Sequence, residues 1–167
     1  LLGLAVEKTD KDDCKTGISR FSAEELMIPD LKARTKADAI SELAQLMERH
    51  HFISSADALV SAAMDREAIL STALGGALAF PHVRGVEGGG LTLAMGVSRE
   101  GIDWSGEKVN LVFLSAIPVA VSAFYLRLMS GLIQSYSKKD AVEAAKNAGS
   151  GAALWKALVK ATRHTVK

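Results

Sequence analysis

The chain has 167 residues, 49% of them hydrophobic, and its 20 Lys and Arg against 19 Asp and Glu give a formal net charge of +1. This length and apolar content are enough for one domain with a sizeable core. The balanced charge excludes a strong field that would attract nucleic acid or an anionic membrane. We therefore expect a single domain, no nucleic-acid partner, and recognition through local features.

The first 20 residues are polar after position 6 and offer little apolar surface to bury. We predict a linker or disordered N-terminal segment over residues 1–20 and one domain over residues 21–167. The chain starts without Met and without a signal-peptide pattern, as a piece of a longer protein would. At the start of the domain, Ser22 and Glu25 have the spacing of a capping box, which predicts a short helix that Pro29 ends.

Two amphipathic helices are predicted next. Residues 35–51 carry apolar side chains at spacings of 3, 4 and 7, as on a surface helix. The following helix is predicted to start at Ser54 or Ser55 and to run into Arg66 and Glu67.

The pattern then changes from helix to strand. An apolar run over residues 77–80 is closed by Pro81, and residues 91–98 and 109–117 are uncharged strand candidates, with a possible edge strand at 102–104. Helical patterning returns over residues 121–136, 138–148 and 151–162. The predicted fold class is α/β, a single domain with a mixed β-sheet flanked by helices.

Membrane insertion and compartment follow from two features. The longest uncharged run, residues 111–126, contains Pro118 and is shorter than the roughly 20 residues that a membrane-spanning helix needs. We read it as a buried strand followed by a helix, and we predict no direct membrane insertion. A single cysteine, Cys14, cannot form an internal disulfide, which fits a reducing compartment and predicts a cytoplasmic protein.

The four histidines do not form a metal-binding pattern. His50 and His51 are adjacent, so on a helix they point about 100° apart and cannot chelate one ion from one face. His164 lies in the tail, and His82 has no His or carboxylate three or four residues away. We predict no metal.

Glycine-rich stretches do not indicate a nucleotide site. Residues 75–76 and 88–90 lack the Lys-Ser or Lys-Thr that completes a P-loop, and no GxGxxG motif opens a helix. A GxSxG nucleophile elbow is absent as well, which disfavours a serine hydrolase. We predict no cofactor.

His82 is the strongest candidate for chemistry, although a structural histidine in a turn is the alternative for any lone His. Pro81 restricts the backbone, so His82 leaves a strand with little freedom. Arg66 offers a planar fork that matches phosphate oxygens, and Ser71 and Thr72 offer neutral donors. Near neutral pH an imidazole keeps one unprotonated, nucleophilic nitrogen.

These residues resemble the signature of the mannitol/fructose-type enzyme IIA domains of the phosphotransferase system (PTS), which include the nitrogen-regulatory IIA (PtsN-like) proteins. The signature consists of Arg66-Glu67, Ser71-Thr72, Gly75-Gly76 and the run ALAFPH that ends at His82. The resemblance continues through GVSREGIDW, VNLVFLSAIP and YLRLMSGL, and it covers about residues 21–164.

The resemblance implies a phospho-carrier with the mannitol-type IIA fold. In that family the histidine after the proline accepts a phosphoryl group from an HPr-type phosphohistidine protein. It passes the group to a IIB domain, or its phosphorylation state regulates a transporter or sensor protein. By this resemblance His82 is the acceptor, Arg66 lies beside the phosphoryl group, and Thr72 lines the site, with Ser71 and Tyr125 as supporting donors. Neither a metal nor a nucleotide is implied.

Two departures from the family pattern leave a second interpretation open. Tyr125 stands where many members have a second histidine, and Phe80 stands where a smaller aliphatic residue is usual. A phenol cannot change its charge near pH 7. The alternative is a IIA-like regulatory binding module without productive transfer; a structural domain with an extinct site is the least favoured. For either active role, we predict that Leu78, Phe80 and Val83 form an apolar docking surface around the histidine.

Overall fold

A computed structural model describes residues 17–87 and 89–167. Its sheet has five strands in the order β1-β4-β5-β2, with β3 also paired to β5. The strands are β1 Met27–Ile28, β2 Leu78–Ala79, β3 His82–Val86, β4 Thr92–Trp104 and β5 Glu107–Pro118.

The long β4–β5 hairpin forms the centre of the sheet. Its strands are antiparallel, whereas β1 runs parallel to β4, and β2 and β3 run parallel to β5, so the sheet is mixed as predicted. Residues 109–118 of β5 are buried without interruption. Because successive side chains of a strand point to opposite faces, both faces of the sheet are covered.

Residues 102–104 differ from the prediction of a separate edge strand. They are the end of β4, where Ile102 pairs with Val109 and Trp104 with Glu107, after a register shift between Val97 and Ile102. The shift lets one strand continue past Gly101, whose φ of 89° is a left-handed value that glycine adopts readily.

In the described part of the chain, five helices cover the sheet: α1 Lys36–Arg49, α2 Ala56–Ile69, α3 Ser122–Tyr136, α4 Lys139–Lys146 and α5 Gly151–Thr162. The side chains of Thr35, Ser55 and Ser150 cap α1, α2 and α5 by accepting a backbone N–H three residues on. The two amphipathic helices predicted after Thr35 and after Ser54 or Ser55 are confirmed, as are the three helices predicted after the strands. None of the helices in the described residues is long and apolar enough to cross a membrane.

The start of the chain departs from the prediction in two ways. Ser22 does not cap a helix; its hydroxyl donates to the Leu93 carbonyl at 2.6 Å, and only a short 3-10 turn forms at Glu24–Leu26. Residues 17–20, placed in the predicted linker, form a 3-10 turn whose Ile18 is buried in the core. The rest of that predicted segment, residues 1–16, lies outside the described residues.

Strands β2 and β3 are two parts of one sheet edge. Both pair with β5, β2 at Leu111 and Val112 and β3 from Ser115 onward, and residues 80–81 interrupt them. A proline has no N–H for a ladder, so it is tolerated at such an edge. After this interruption, His82 is the first residue of β3 and lies opposite Ser115 of β5.

Candidate functional site

His82 is half-buried at the start of β3, and its ring is held by one hydrogen bond. Nδ1 lies 2.9 Å from the backbone oxygen of Phe80. A carbonyl oxygen can only accept, so Nδ1 must carry the hydrogen. The tautomer therefore leaves the lone pair on Nε2, to which none of the described residues makes a hydrogen bond.

The surroundings of His82 favour its neutral form. Burial has the largest effect and lowers the pKa of His82. The hydrogen bond to Phe80 opposes it, the positive charges of Arg66 and Arg84 lower the pKa further, and the charge of Glu67 raises it slightly, so that the net shift is downward. A lowered pKa keeps Nε2 unprotonated near neutral pH. The imidazole is thus suited to act as a nucleophile.

The same pKa shift predicts a pH dependence of stability. An unfolded histidine has a pKa of about 6.5, so below that pH the unfolded chain binds a proton that folded His82 does not. The contribution of neutral, folded His82 to the free energy of unfolding is complete above about pH 6.5 and is lost as the pH falls through the pKa of the unfolded histidine. We expect the free energy of unfolding to drop more between pH 7.5 and 5.5 in the parent than in His82→Gln, measured by urea denaturation. Equal drops would contradict the shift.

Arg66, for which a phosphate-clamping role is predicted, lies in the last turn of α2. Its guanidinium donates to the Leu70 carbonyl at 2.8 Å, which fixes the side chain at the helix end beside the loop that leads to β2. This bond uses one of the five N–H donors of the fork. The remaining donors, and a charge strong enough to affect the pKa of His82, are available for an anionic group.

Glu67, the neighbour of Arg66, is buried and organises the loop from within. Its carboxylate accepts hydrogen bonds from the Thr72 backbone N–H at 3.0 Å, from the Thr72 hydroxyl, and from the indole N–H of Trp104 at 3.3 Å. The Thr72 carbonyl in turn accepts the Phe80 N–H at 3.1 Å. Through Glu67, Thr72 and Phe80, a continuous hydrogen-bonded chain reaches Nδ1 of His82.

The two predicted hydroxyl donors occupy different environments. Thr72 is buried, and its hydroxyl hydrogen is directed to Glu67, so its established contact is structural. Ser71 is half-buried, and its oxygen accepts the Ala73 N–H at 3.2 Å, which leaves its own hydrogen for another acceptor. A phosphate contact by either residue stays a prediction.

Tyr125 comes from the first turns of α3 to pack against His82. The two ring centroids are 5.1 Å apart with an interplanar angle of 34°. The phenol is buried, and burial raises the pKa of Tyr125 well above its ordinary value. The structure thus brings the residue singled out from the sequence next to His82, as a neutral ring.

Two of the three predicted docking residues are buried. Leu78 on β2 and Phe80 directly after it are buried, with exposures of 4% and 2%, and this burial contradicts the prediction that they contact a partner. Val83 is half-buried. Sequence reasoning missed the apolar side chains that are exposed around this part of the fold, Ile69, Leu70, Leu74 and Val119, with exposures of 52 to 81%.

Metal binding has no support in the geometry of the described residues. Within 17–87 and 89–167, no group of three or more His, Cys, Asp or Glu side chains is placed to hold an ion. The site offers instead one nucleophilic nitrogen and two guanidinium groups, a set of groups that suits an anionic group such as phosphoryl.

Solved structures of other proteins define the class of this fold. Nitrogen regulatory protein IIA-Ntr from Neisseria meningitidis superimposes with a TM-score of 0.75 at 24% identity, covering 84% of this chain and 98% of that one. Enzyme IIA mannitol from Escherichia coli, solved in complex with phosphorylated enzyme IIB mannitol, gives a TM-score of 0.67 at 19% identity and covers 83% and 96%. The fold is the mannitol-type IIA fold.

Sequence comparison gives the family. The chain belongs to the family described as phosphoenolpyruvate-dependent sugar phosphotransferase system, EIIA 2, which it matches over residues 20–161. A relative, the PTS system fructose-specific EIIA component of Haloferax volcanii, is 28% identical over 131 residues, covering 77% of this chain and 85% of the relative. The resemblance inferred from the sequence is confirmed.

Proposed function

We propose that this domain is a phospho-carrier that accepts a phosphoryl group on Nε2 of His82. The observation that carries the proposal is the hydrogen bond from Nδ1 to the Phe80 carbonyl, which leaves Nε2 as the nucleophilic atom. The lowered pKa of His82 keeps that nitrogen unprotonated. Family membership supplies the reaction class, phosphoryl transfer within a sugar phosphotransferase system.

The transfer step needs positioning and charge compensation more than covalent help from the protein. The Nε2 lone pair of His82 attacks the phosphorus of a donor phosphohistidine, and a new N–P bond forms. The N–P bond of the donor breaks, and its electron pair returns to the donor imidazole. Nδ1 keeps its hydrogen throughout, and the Phe80 carbonyl stabilises the positive charge that the ring of His82 gains.

The partners proposed are an HPr-type carrier as donor and a IIB domain as acceptor, or a transporter or sensor that the phosphorylation state regulates. The E. coli complex of enzyme IIA mannitol with phosphorylated enzyme IIB mannitol supports the second partner by similarity of fold. Ile69, Leu70 and Leu74, exposed after Arg66 along the chain, offer the apolar surface that docking would bury. We place the protein in the cytoplasm, where such carriers would meet it.

Intact-mass spectrometry at neutral or alkaline pH tests the proposal. After incubation with a phosphorylated HPr-type carrier, we expect one acid-labile phosphate on the parent and none on His82→Ala. His50→Ala is the matched control, because His50 is exposed on the end of α1 and should leave the added mass unchanged. A parent that gains no phosphate, or a His82→Ala variant that still gains it, would overturn the assignment.

The second candidate is a regulatory binding module without productive transfer. Tyr125 favours it, because a buried phenol with a raised pKa cannot exchange a proton beside His82 near neutral pH. The same experiment separates the two functions. A folded parent that stays unphosphorylated but binds a IIB-type or carrier protein in isothermal titration calorimetry would establish the binding module.

A further inference from the structure

Arg84 follows His82 by two residues on the same edge strand. The pairing of β3 with β5 is regular over this stretch, with His82 opposite Ser115 and Arg84 opposite Ile117, and the register shifts only after Arg84. Alternate residues of a regular strand point to the same face. His82 and Arg84 therefore project from one face of the sheet edge.

Tyr125 connects the two side chains on that face. Its ring lies against the imidazole of His82, at 5.1 Å between centroids, and the guanidinium carbon of Arg84 lies 5.9 Å from the centroid of the same phenol. A cation at this distance from an aromatic ring is attracted to it. The buried phenol is thus a fixed platform that holds Arg84 next to His82.

The charge of Arg84 is not neutralised locally. Although Arg84 is exposed, no carboxylate within the described parts of the chain lies within 4 Å of its guanidinium. The charge reaches the site, since it lowers the pKa of both His82 and Tyr125. Arg66 acts on the same two groups from the end of α2.

We propose that Arg84 is a second phosphate clamp, which binds the phosphoryl group on His82 together with Arg66. This inference rests on the proposed phospho-carrier function and adds a catalytic residue to it. A phosphoryl group has three terminal oxygens that share its negative charge, so guanidinium groups from two elements, β3 and α2, can bind different oxygens. Tyr125 supplies no charge, and Arg84 provides the second cation of the site.

Phosphoramidate, a small phosphoryl donor, separates clamping from protein docking. The Nε2 lone pair of His82 forms an N–P bond while the N–P bond of phosphoramidate breaks and ammonia leaves. With this donor, Arg84→Gln should phosphorylate about tenfold to a hundredfold more slowly than the parent, the loss expected for one charge-assisted hydrogen bond. Arg84→Lys should fall between the two, because it keeps the charge and loses the fork.

Arg127→Gln is the matched control. Arg127 is also exposed and its guanidinium lies over an aromatic ring, that of Phe124 on α3. The substitution removes the same positive charge as Arg84→Gln. Its rate should equal that of the parent. If phosphoramidate phosphorylates Arg84→Gln as fast as the parent, the clamp is overturned and the phospho-carrier function is unaffected. The same holds if Arg84→Gln is phosphorylated slowly only by the protein carrier. A parent that neither donor phosphorylates would overturn both.

Discussion

Replacing Glu67 with Ala should lower the free energy of unfolding by about 2–4 kcal/mol, because several buried donors would lose their acceptor at once. The donors are the N–H and hydroxyl of Thr72 and the indole N–H of Trp104, and Trp104 is fully buried. Water cannot easily replace the carboxylate there. Urea denaturation of the purified variant measures the loss.

Asp65→Ala is the control for this prediction, because Asp65 lies on the same helix and is exposed. It should change stability by no more than about 0.5 kcal/mol. Glu67→Gln should fall between the two, since it keeps the volume and one acceptor oxygen but directs an NH₂ group at neighbouring donors. A Glu67→Ala loss as small as that of Asp65→Ala would show that the network contributes little.

The network also predicts an effect on the site. Glu67 holds Thr72, the Thr72 carbonyl holds the Phe80 N–H, and the Phe80 carbonyl fixes the tautomer of His82. Loosening the first link should therefore broaden the orientations of the imidazole. In conditions where Glu67→Gln is fully folded, we expect slower phosphorylation by phosphoramidate than in Asp65→Ala, with the ¹⁵N shifts of His82 moving toward a mixture of tautomers.

The helices and the hairpin could be predicted because their signals are local. Thr35 and Ser55 directly precede apolar periodicity, and each caps its helix in the structure. Residues 92–98 of β4 and 109–118 of β5 are uncharged because both faces of the sheet are buried there. Ser22 misled the prediction, since the same hydroxyl that could cap a helix donates to a carbonyl 71 residues away.

The acceptor histidine could be proposed from the order of Arg66 and Pro81-His82, but the groups around it depend on tertiary contacts. Glu67 looks like an ordinary surface carboxylate at the end of a helix, and its hydrogen bond from the indole N–H of Trp104, 37 residues later, forms only in the folded chain. Arg84 stands in an unremarkable turn-like stretch. Arg84 lies on the same face of the sheet edge as His82 because of the register of β3 on β5, and this register cannot be read from the sequence.

Phe80 shows the same limit, and its burial leads to the second large effect. An apolar residue before Pro81 could face a partner or the core, and in the structure Phe80 is buried in the core directly after β2. There the ring of Phe80 stacks on Phe113, with centroids 5.1 Å apart and planes 12° apart. Phe113 in turn packs against Tyr136 of α3, at 5.4 Å between centroids. Through these ring contacts, Phe80 and Phe113 link the edge of the sheet to α3.

Phe80→Ala should therefore destabilise the domain by about 3–5 kcal/mol, the usual loss for removing a buried phenylalanine. Val83→Ala, which truncates a half-buried residue on the same edge, should cost less than about 1.5 kcal/mol. Chemical denaturation gives both values.

A docking residue would show the reverse pattern, with stability unchanged and weaker binding of a phosphorylated carrier. That result for Phe80→Ala would return the residue to the partner surface, whereas a large stability loss with unchanged affinity of the folded fraction would place its role in the core.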